Sequence, residues 1–190
     1  MGKNGLLNIF VILIVGLIVG TMIFFILKNF IRTLKKKINY LYIKDISINS
    51  LDALSGDEFE DYLYYLFSYM GFKVQKTQKT RDFGADLIIE HNNTTICIQA
   101  KLYYNHSVGT SAIQEVYSAT QYYGTNSALV ITNSYFTSSA RTLAEKTNVI
   151  LIDRDNLNKI ITTTIREKKP LSSQLFLSIM EKNISQKITN

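Results

Sequence analysis

Between Leu6 and Leu27 the chain has no charged residue, and between Met1 and Lys44 it has no acidic one. The first absence excludes an ordinary surface helix. The 22 uncharged, mostly apolar residues span roughly 33 Å at about 1.5 Å per residue, enough for a hydrocarbon core of about 30 Å. A cleaved secretory signal fits poorly, because only Lys3 precedes the run and no small-residue cleavage site follows it. The run reads as a retained transmembrane helix. The second absence leaves Lys28, Arg32, Lys35, Lys36, Lys37 and Lys44 unopposed after the run, so the positive-inside rule places the N-terminus outside and the rest in the cytoplasm. It also relocates the net charge of +6. Seven of the 21 Lys and Arg fall in residues 1–44, leaving 14 against 15 acids in residues 45–190, a net of −1. The positive balance is a topology and headgroup signal, and it does not make the remainder a basic nucleic-acid-binding domain. Cysteine is equally scarce. Cys97 alone cannot form an intramolecular disulfide, suits a reducing compartment, and sits in an apolar stretch as a small buried hydrophobe. Nor does a length of 190 residues leave room for two catalytic domains.

What is present divides the chain into five parts. Residues 1–5 are a short tail and 6–27 the membrane helix, in which Gly16 and Gly20 form a GxxxG pair suited to helix pairing and hence to a homodimer. Residues 28–50 are a basic juxtamembrane helix and linker, with Phe30, Ile31, Leu34, Ile38 and Leu41 at helical spacing, and Ser47 to Leu54 reads as linker. Residues 51–163 form one domain. Residues 164–190 are a tail with Leu175, Phe176, Ile179 and Met180 on one helical face.

The domain opens on Ser55-Gly56-Asp57-Glu58, a capping box for a helix that buries Phe59, Leu63, Leu66 and Met70 and stops at Gly71. Strands are expected over 72–78, 86–91 and 94–102, the last two joined at Asn92-Asn93, since asparagine tolerates positive φ. A helix over 111–123, a buried strand at 128–131, a helix from Thr137 to about 147, a strand at 149–152 and a helix over 155–161 complete the order. Mixed order with buried central strands predicts an α/β fold, an αβββαβ core around one mixed sheet flanked by helices.

Gln99 and Lys101 lie two apart on a strand and share a face. A lysine in an apolar strand is costly unless paired or functional. Asp86 opens the neighbouring strand, 13 residues before Gln99, and the hairpin folds the two together. Two readings stand at this point. One is a structural ion pair between Asp86 and Lys101. The other is a site in which carboxylate, amide and ammonium hold a divalent metal against a phosphodiester. Gly84, which lets the chain turn between Asp82 and Asp86, and Glu60 at the edge of the first helix favour the second reading.

The stretch from about Leu54 to Ile161 resembles the Mrr-type restriction endonuclease domain of the PD-(D/E)xK nuclease superfamily. The residues that carry the resemblance are Glu58-Phe59-Glu60, Gly71-Phe72-Lys73-Val74, Asp82-Phe83-Gly84-Ala85-Asp86 and Gln99-Ala100-Lys101, followed by Val108-Gly109, Gln114-Glu115-Val116, Thr132-Asn133, Phe136-Thr137, Ala140 and Leu151-Ile152-Asp153. The resemblance implies a Mg²⁺- or Mn²⁺-dependent DNA endonuclease of a bacterial cell, acting on foreign or modified DNA without a small-molecule cofactor; the apolar run, read on its own, tethers it to the inner membrane through residues 6–27. By the same resemblance, Asp86 and Gln99 hold the metal, Lys101 activates water and steadies the phosphate, and Glu60 is the acid from the first helix. Glutamine is neutral, so such a site holds metal more weakly, and Phe83 stands where the family usually has a small residue. Asp82 reads as a turn residue or as support behind the metal ligands. Lys73, Lys76, Lys79, Arg81, His106 and Gln114 are candidates for DNA contact. The alternative expectation is a catalytically inactive, membrane-tethered nucleic-acid-binding module.

Overall fold

An uncharged apolar run continued by a basic stretch carries the first element, α1 (Lys3–Ile43). The computed structural model describes residues 3–78, 83–167 and Phe176. Along α1 the large side chains from Phe10 to Leu27 are exposed. The helix is long and apolar enough to cross a membrane, a test of length and composition that a signal sequence also passes. The chain divides into two compact units, Met1–Ile38 and Asn39–Asn190.

In the second unit the end of α1 packs on the domain. Ile43 is fully buried, and the rings of Tyr40 and Tyr42 lie 5.4 and 4.1 Å from those of Tyr69 and Tyr65. The stretch read as linker holds a single helical turn, α2 (Ile48–Leu51), capped by Ser47. Leu51, fully buried, draws it onto the core. α3 (Gly56–Met70) follows behind the expected capping box: Ser55 N donates to Glu58 Oε2 at 2.8 Å and Glu58 N to Ser55 Oγ at 3.3 Å. The bonds to Glu58 Oε2 from Ser55 N and, at 2.9 Å, from Ser55 Oγ hold the Glu58 carboxyl below its usual pKa. Gly71 ends the helix at φ 99°, a left-handed cap that glycine adopts without Cβ strain.

Strands β1 (Lys73–Lys76), β2 (Leu87–His91) and β3 (Thr94–Lys101) form a meander, each antiparallel to the next. Asn92 and Asn93 make the tight turn between the last two at φ 48° and 64°. Beyond β3 the sheet turns parallel, through α4 (Thr110–Tyr123), β4 (Ser127–Thr132), α5 (Ser138–Thr147) and β5 (Val149–Ile152). The five strands lie in the order β1-β2-β3-β4-β5. α6 (Arg154–Glu167) continues past the expected end near Ile161, because Thr164 is also buried. This is the mixed α/β sandwich that the order of elements predicts.

Alternation along the strands builds two cores. Ile96, Ile98, Leu129 and Ile131 join Phe59, Leu63 and Leu66 of α3 and Leu157 and Ile160 of α6. Cys97 and Val130 join Ala112, Ile113 and Val116 of α4 and Ala140 of α5. Burial raises the Cys97 thiol pKa, against the opposing pull of its 3.1 Å bond from Thr125 Oγ1, so this cysteine is an inert core residue. Of the expected C-terminal helical face, only Phe176 is described. Its ring lies 5.2 and 5.4 Å from those of Phe67 and Phe72, while Leu175, Ile179 and Met180 lie outside the described residues.

Candidate active site at the β2–β3 edge

Since Ile96 and Ile98 point toward α3, the period of two sends Gln99 and Lys101 toward α4. The register Leu87↔Ile98 sets Asp86 opposite Gln99, one residue before β2 begins. Asp86 is held from both sides through its backbone. Its N–H donates to Ile98 O at 2.8 Å and its carbonyl accepts from Thr77 N at 3.0 Å. Its carboxylate is held too: Oδ2 accepts from Gln99 Nε2 at 2.6 Å and from Ala100 N at 2.7 Å. These are short, charge-assisted bonds that fix the oxygen in place. Gln99 is 5% exposed. With its amide nitrogen spent on Asp86, its carbonyl oxygen is the atom it can offer a cation.

Lys101 takes a partner that strand pairing does not predict. Its ammonium lies 2.7 Å from Glu115 Oε2 on α4. Helix spacing carried the hint: α4 buries Ala112, Ile113, Val116 and Ala119, and Glu115 flanks that stripe on the side of the helix facing the sheet. The loop before Asp86 is locked onto the same residue. A Cβ built on Gly84 would lie 2.5 Å from Glu115 O and 2.8 Å from its Cα, so only glycine allows this approach at φ 90°. Phe83, itself at φ 51°, stacks on Tyr122 of α4 at 3.7 Å and 20°. The bulk at this position therefore has a use, since it pins the loop to the helix.

The other expected site residues are more scattered. Glu60 is half-buried on α3, the helix over the opposite face of the sheet. Lys73 and Lys76 lie on β1, the edge strand, where they pair with Glu90 at 2.7 Å and Asp61 at 2.6 Å. Surface pairs of this kind are weak and leave the ammonium groups open to phosphate. Gln114 is exposed on α4 beside Glu115. His106 is exposed, with its ring 5.6 Å from that of Tyr103. Lys79, Arg81 and Asp82 lie outside the described residues.

A second polar constellation, unforeseen from sequence, braces the ends of β3 and β4. Asn133, 2% exposed, donates to Asp52 Oδ1 at 2.8 Å and to Tyr103 O at 3.0 Å, and accepts from Tyr103 N at 2.8 Å. Arg154 grips both Asp52 oxygens at 2.7 and 2.9 Å and donates to Asn133 O at 2.7 Å. Together they floor a cavity of about 390 Å³ walled by Tyr104, His106 and Tyr135. Arg154 holds the Asp52 carboxyl below its usual value of 3.8, against a smaller opposing push from burial. A carboxyl with a lowered folded pKa contributes stability that is whole above 3.8 and is lost as pH falls through the folded value. Arg154→Ala is expected to cost about 2 kcal/mol at neutral pH and to flatten the fall in melting temperature between pH 5 and pH 3, both read by thermal melts of the two proteins.

The site's oxygen donors, a carboxylate and an amide with a second carboxylate on the neighbouring helix, fit a hard divalent cation such as Mg²⁺. No cluster of three or more His, Cys, Asp or Glu forms among the described residues, so the fit is that of a lightly charged site.

Comparison with known proteins bears on the fold and the family. Among solved structures, the chain is similar to the small subunit of the heterodimeric restriction endonuclease R.BspD6I, at 18% identity and a TM-score of 0.51, covering 75% of this chain and 95% of that one. It is also similar to the DNA modification-dependent restriction endonuclease AspBHI (15% identity, TM-score 0.48, 80% and 40% covered) and to the protein of unknown function AF1548 (16%, 0.44, 50% and 55%). The chain thus spans about half or less of the latter two, and likenesses at these identities speak to the fold alone. No curated protein matches. The restriction endonuclease model Mrr_cat matches residues 51–161, more than half of the chain and every element from α3 to β5, and on that ground this protein belongs to the Mrr-type restriction endonuclease family.

Proposed function

We propose that this protein is a metal-dependent DNA endonuclease, anchored in the inner membrane by residues 6–27 with its nuclease domain in the cytoplasm, that restricts foreign or modified DNA. The observation that carries the reading is the fixed contact of Asp86 with Gln99, with Lys101 two residues on along the same face. A divalent cation bound there neutralises phosphate charge and acidifies water. Asp86 and Gln99 supply its protein oxygens. Lys101, once turned toward a bound phosphodiester, steadies the charge that develops on it and orients the attacking water. Glu60 stands in reserve as an acid from α3. Lys73, Lys76, Lys79 and Arg81, with Gln114 and His106, line the backbone of the duplex. A double-strand break calls for two such sites, and Gly16 and Gly20 offer a surface on which two copies can pair.

The test uses the full chain, extracted with detergent from the membrane fraction, and supercoiled plasmid. Nicking with Mg²⁺, none with EDTA, and none by Lys101→Met is the expected result. If wild type and Lys101→Met both leave plasmid intact while retaining salt-dependent DNA binding, the protein is a tethered binding module and the enzymatic reading fails.

A further inference from the structure

The expected metal site is short of negative charge. Asp86 brings one unit, Gln99 none, and the ammonium of Lys101 cancels what Asp86 brings, so these three residues sum to zero. A divalent cation gains little from a neutral cage of so few ligands. Glu115 alters that sum. Its carboxylate lies 2.7 Å from Lys101 Nζ, and its backbone is pressed against Gly84, two residues before Asp86. The stack of Phe83 on Tyr122 ties the same loop to α4, so helix and loop are packed as one unit. Lys101 is 23% exposed and Glu115 41%, so the pair is partly shielded from solvent and its charges are felt across the site.

Resting on the metal-dependent reading above, we propose that Glu115 is the positioning residue that restores the negative charge Gln99 does not supply. Through the 2.7 Å ion pair it neutralises Lys101 in the metal-free site and would hold the ammonium until a phosphate competes for it. The acid missing from β3 is thereby supplied from α4, and Asp86, Gln99, Lys101 and Glu115 together carry a net charge of −1. The closeness of Gly84 to Glu115 serves the same end, since it fixes the distance between the two sources of negative charge.

The consequence is a compensation between two positions that strand pairing does not connect. Mn²⁺ binding to the detergent-solubilised full chain, measured by isothermal titration calorimetry without DNA, reads it directly. Glu115→Gln, which keeps the shape and removes the charge, is expected to weaken Mn²⁺ binding about tenfold with an unchanged melting temperature in the absence of metal. Adding Gln99→Glu to that variant is expected to bring the affinity back to within about threefold of wild type, because the net charge of the site is then restored. The Mg²⁺ concentration for half-maximal plasmid nicking should follow the same order. Unchanged Mn²⁺ affinity in Glu115→Gln, or no recovery in the double variant, overturns the assignment of Glu115 and leaves the nuclease reading intact. A wild-type chain that binds no Mn²⁺ overturns both.

Discussion

Asp86→Asn is expected to lower plasmid cleavage at saturating Mg²⁺ by about 10³-fold or more, equivalent to about 4 kcal/mol of lost transition-state stabilisation. The variant keeps the shape of the side chain and one oxygen able to accept from Ala100 N, the 2.7 Å bond that ties this side chain to β3. The backbone bonds from Asp86 to Ile98 and Thr77 are untouched by the change. What disappears is the single negative charge that opposes Lys101 on the strand side of the site. In the proposed reading, Asp86 and Gln99 would hold the divalent cation, so its charge stabilisation of the phosphate and its acidification of water would be lost with the carboxylate. Single-turnover cleavage by the full chain, with DNA affinity measured in parallel, separates chemistry from binding. Affinity is expected to stay within a few-fold of wild type, since the proposed DNA contacts are surface lysines that meet the duplex backbone and not Asp86. Loss of less than about tenfold in rate would place the metal elsewhere.

How much of this was legible beforehand depended on the range of the interaction. The capping box at Ser55 and Glu58, the stop at Gly71 and the turn at Asn92-Asn93 are decided by groups within three residues of one another, and they read directly from the chain. The facing of Gln99 and Lys101 toward one side followed from strand alternation, and their nearness to Asp86 from a short hairpin. Glu115 could not be read the same way. Its meeting with Lys101 depends on how α4 crosses the sheet, which is a property of core packing between Val116, Ala112 and Cys97. The same holds for the Asp52–Arg154 grip, whose partners stand 102 residues apart. Sequence spacing carries no information about it. Phe83 looked like a departure from the family, because only the structure places Tyr122 under its ring. Arg154 and Asp52 hold the ends of β3 and β4 in place, and Lys101 is the last residue of β3. These long-range contacts therefore set the precision of a site whose strand members, Asp86, Gln99 and Lys101, are local.

Gly84→Ala is the second large effect, and it tests whether the loop before Asp86 is a precise support or a passive link. The added methyl would lie 2.5 Å from the Glu115 carbonyl oxygen and 2.6 Å from its carbonyl carbon, well inside van der Waals contact. Backbone cannot yield as a flexible side chain would. Gly84 also holds φ 90°, a conformation that costs a non-glycine residue about 1–2 kcal/mol. The loop must therefore lift away from α4, taking Asp86 and its bonds to Gln99 and Ala100 with it. A shift of about 1 Å at a positioned catalytic group costs about 10²-fold in rate, and overpacking adds about 1–3 kcal/mol of destabilisation. Both losses are expected together: thermal melts show the fall in stability, and single-turnover cleavage shows the fall in rate. Phe83→Gly is the matched control. It gives up the stack on Tyr122 but relieves the positive φ of a bulky residue, so the two terms oppose and the melting temperature moves little. If Gly84→Ala cleaves at the wild-type rate, Glu115 and Asp86 are not held in register by this contact, and the loop sets only the path of the chain.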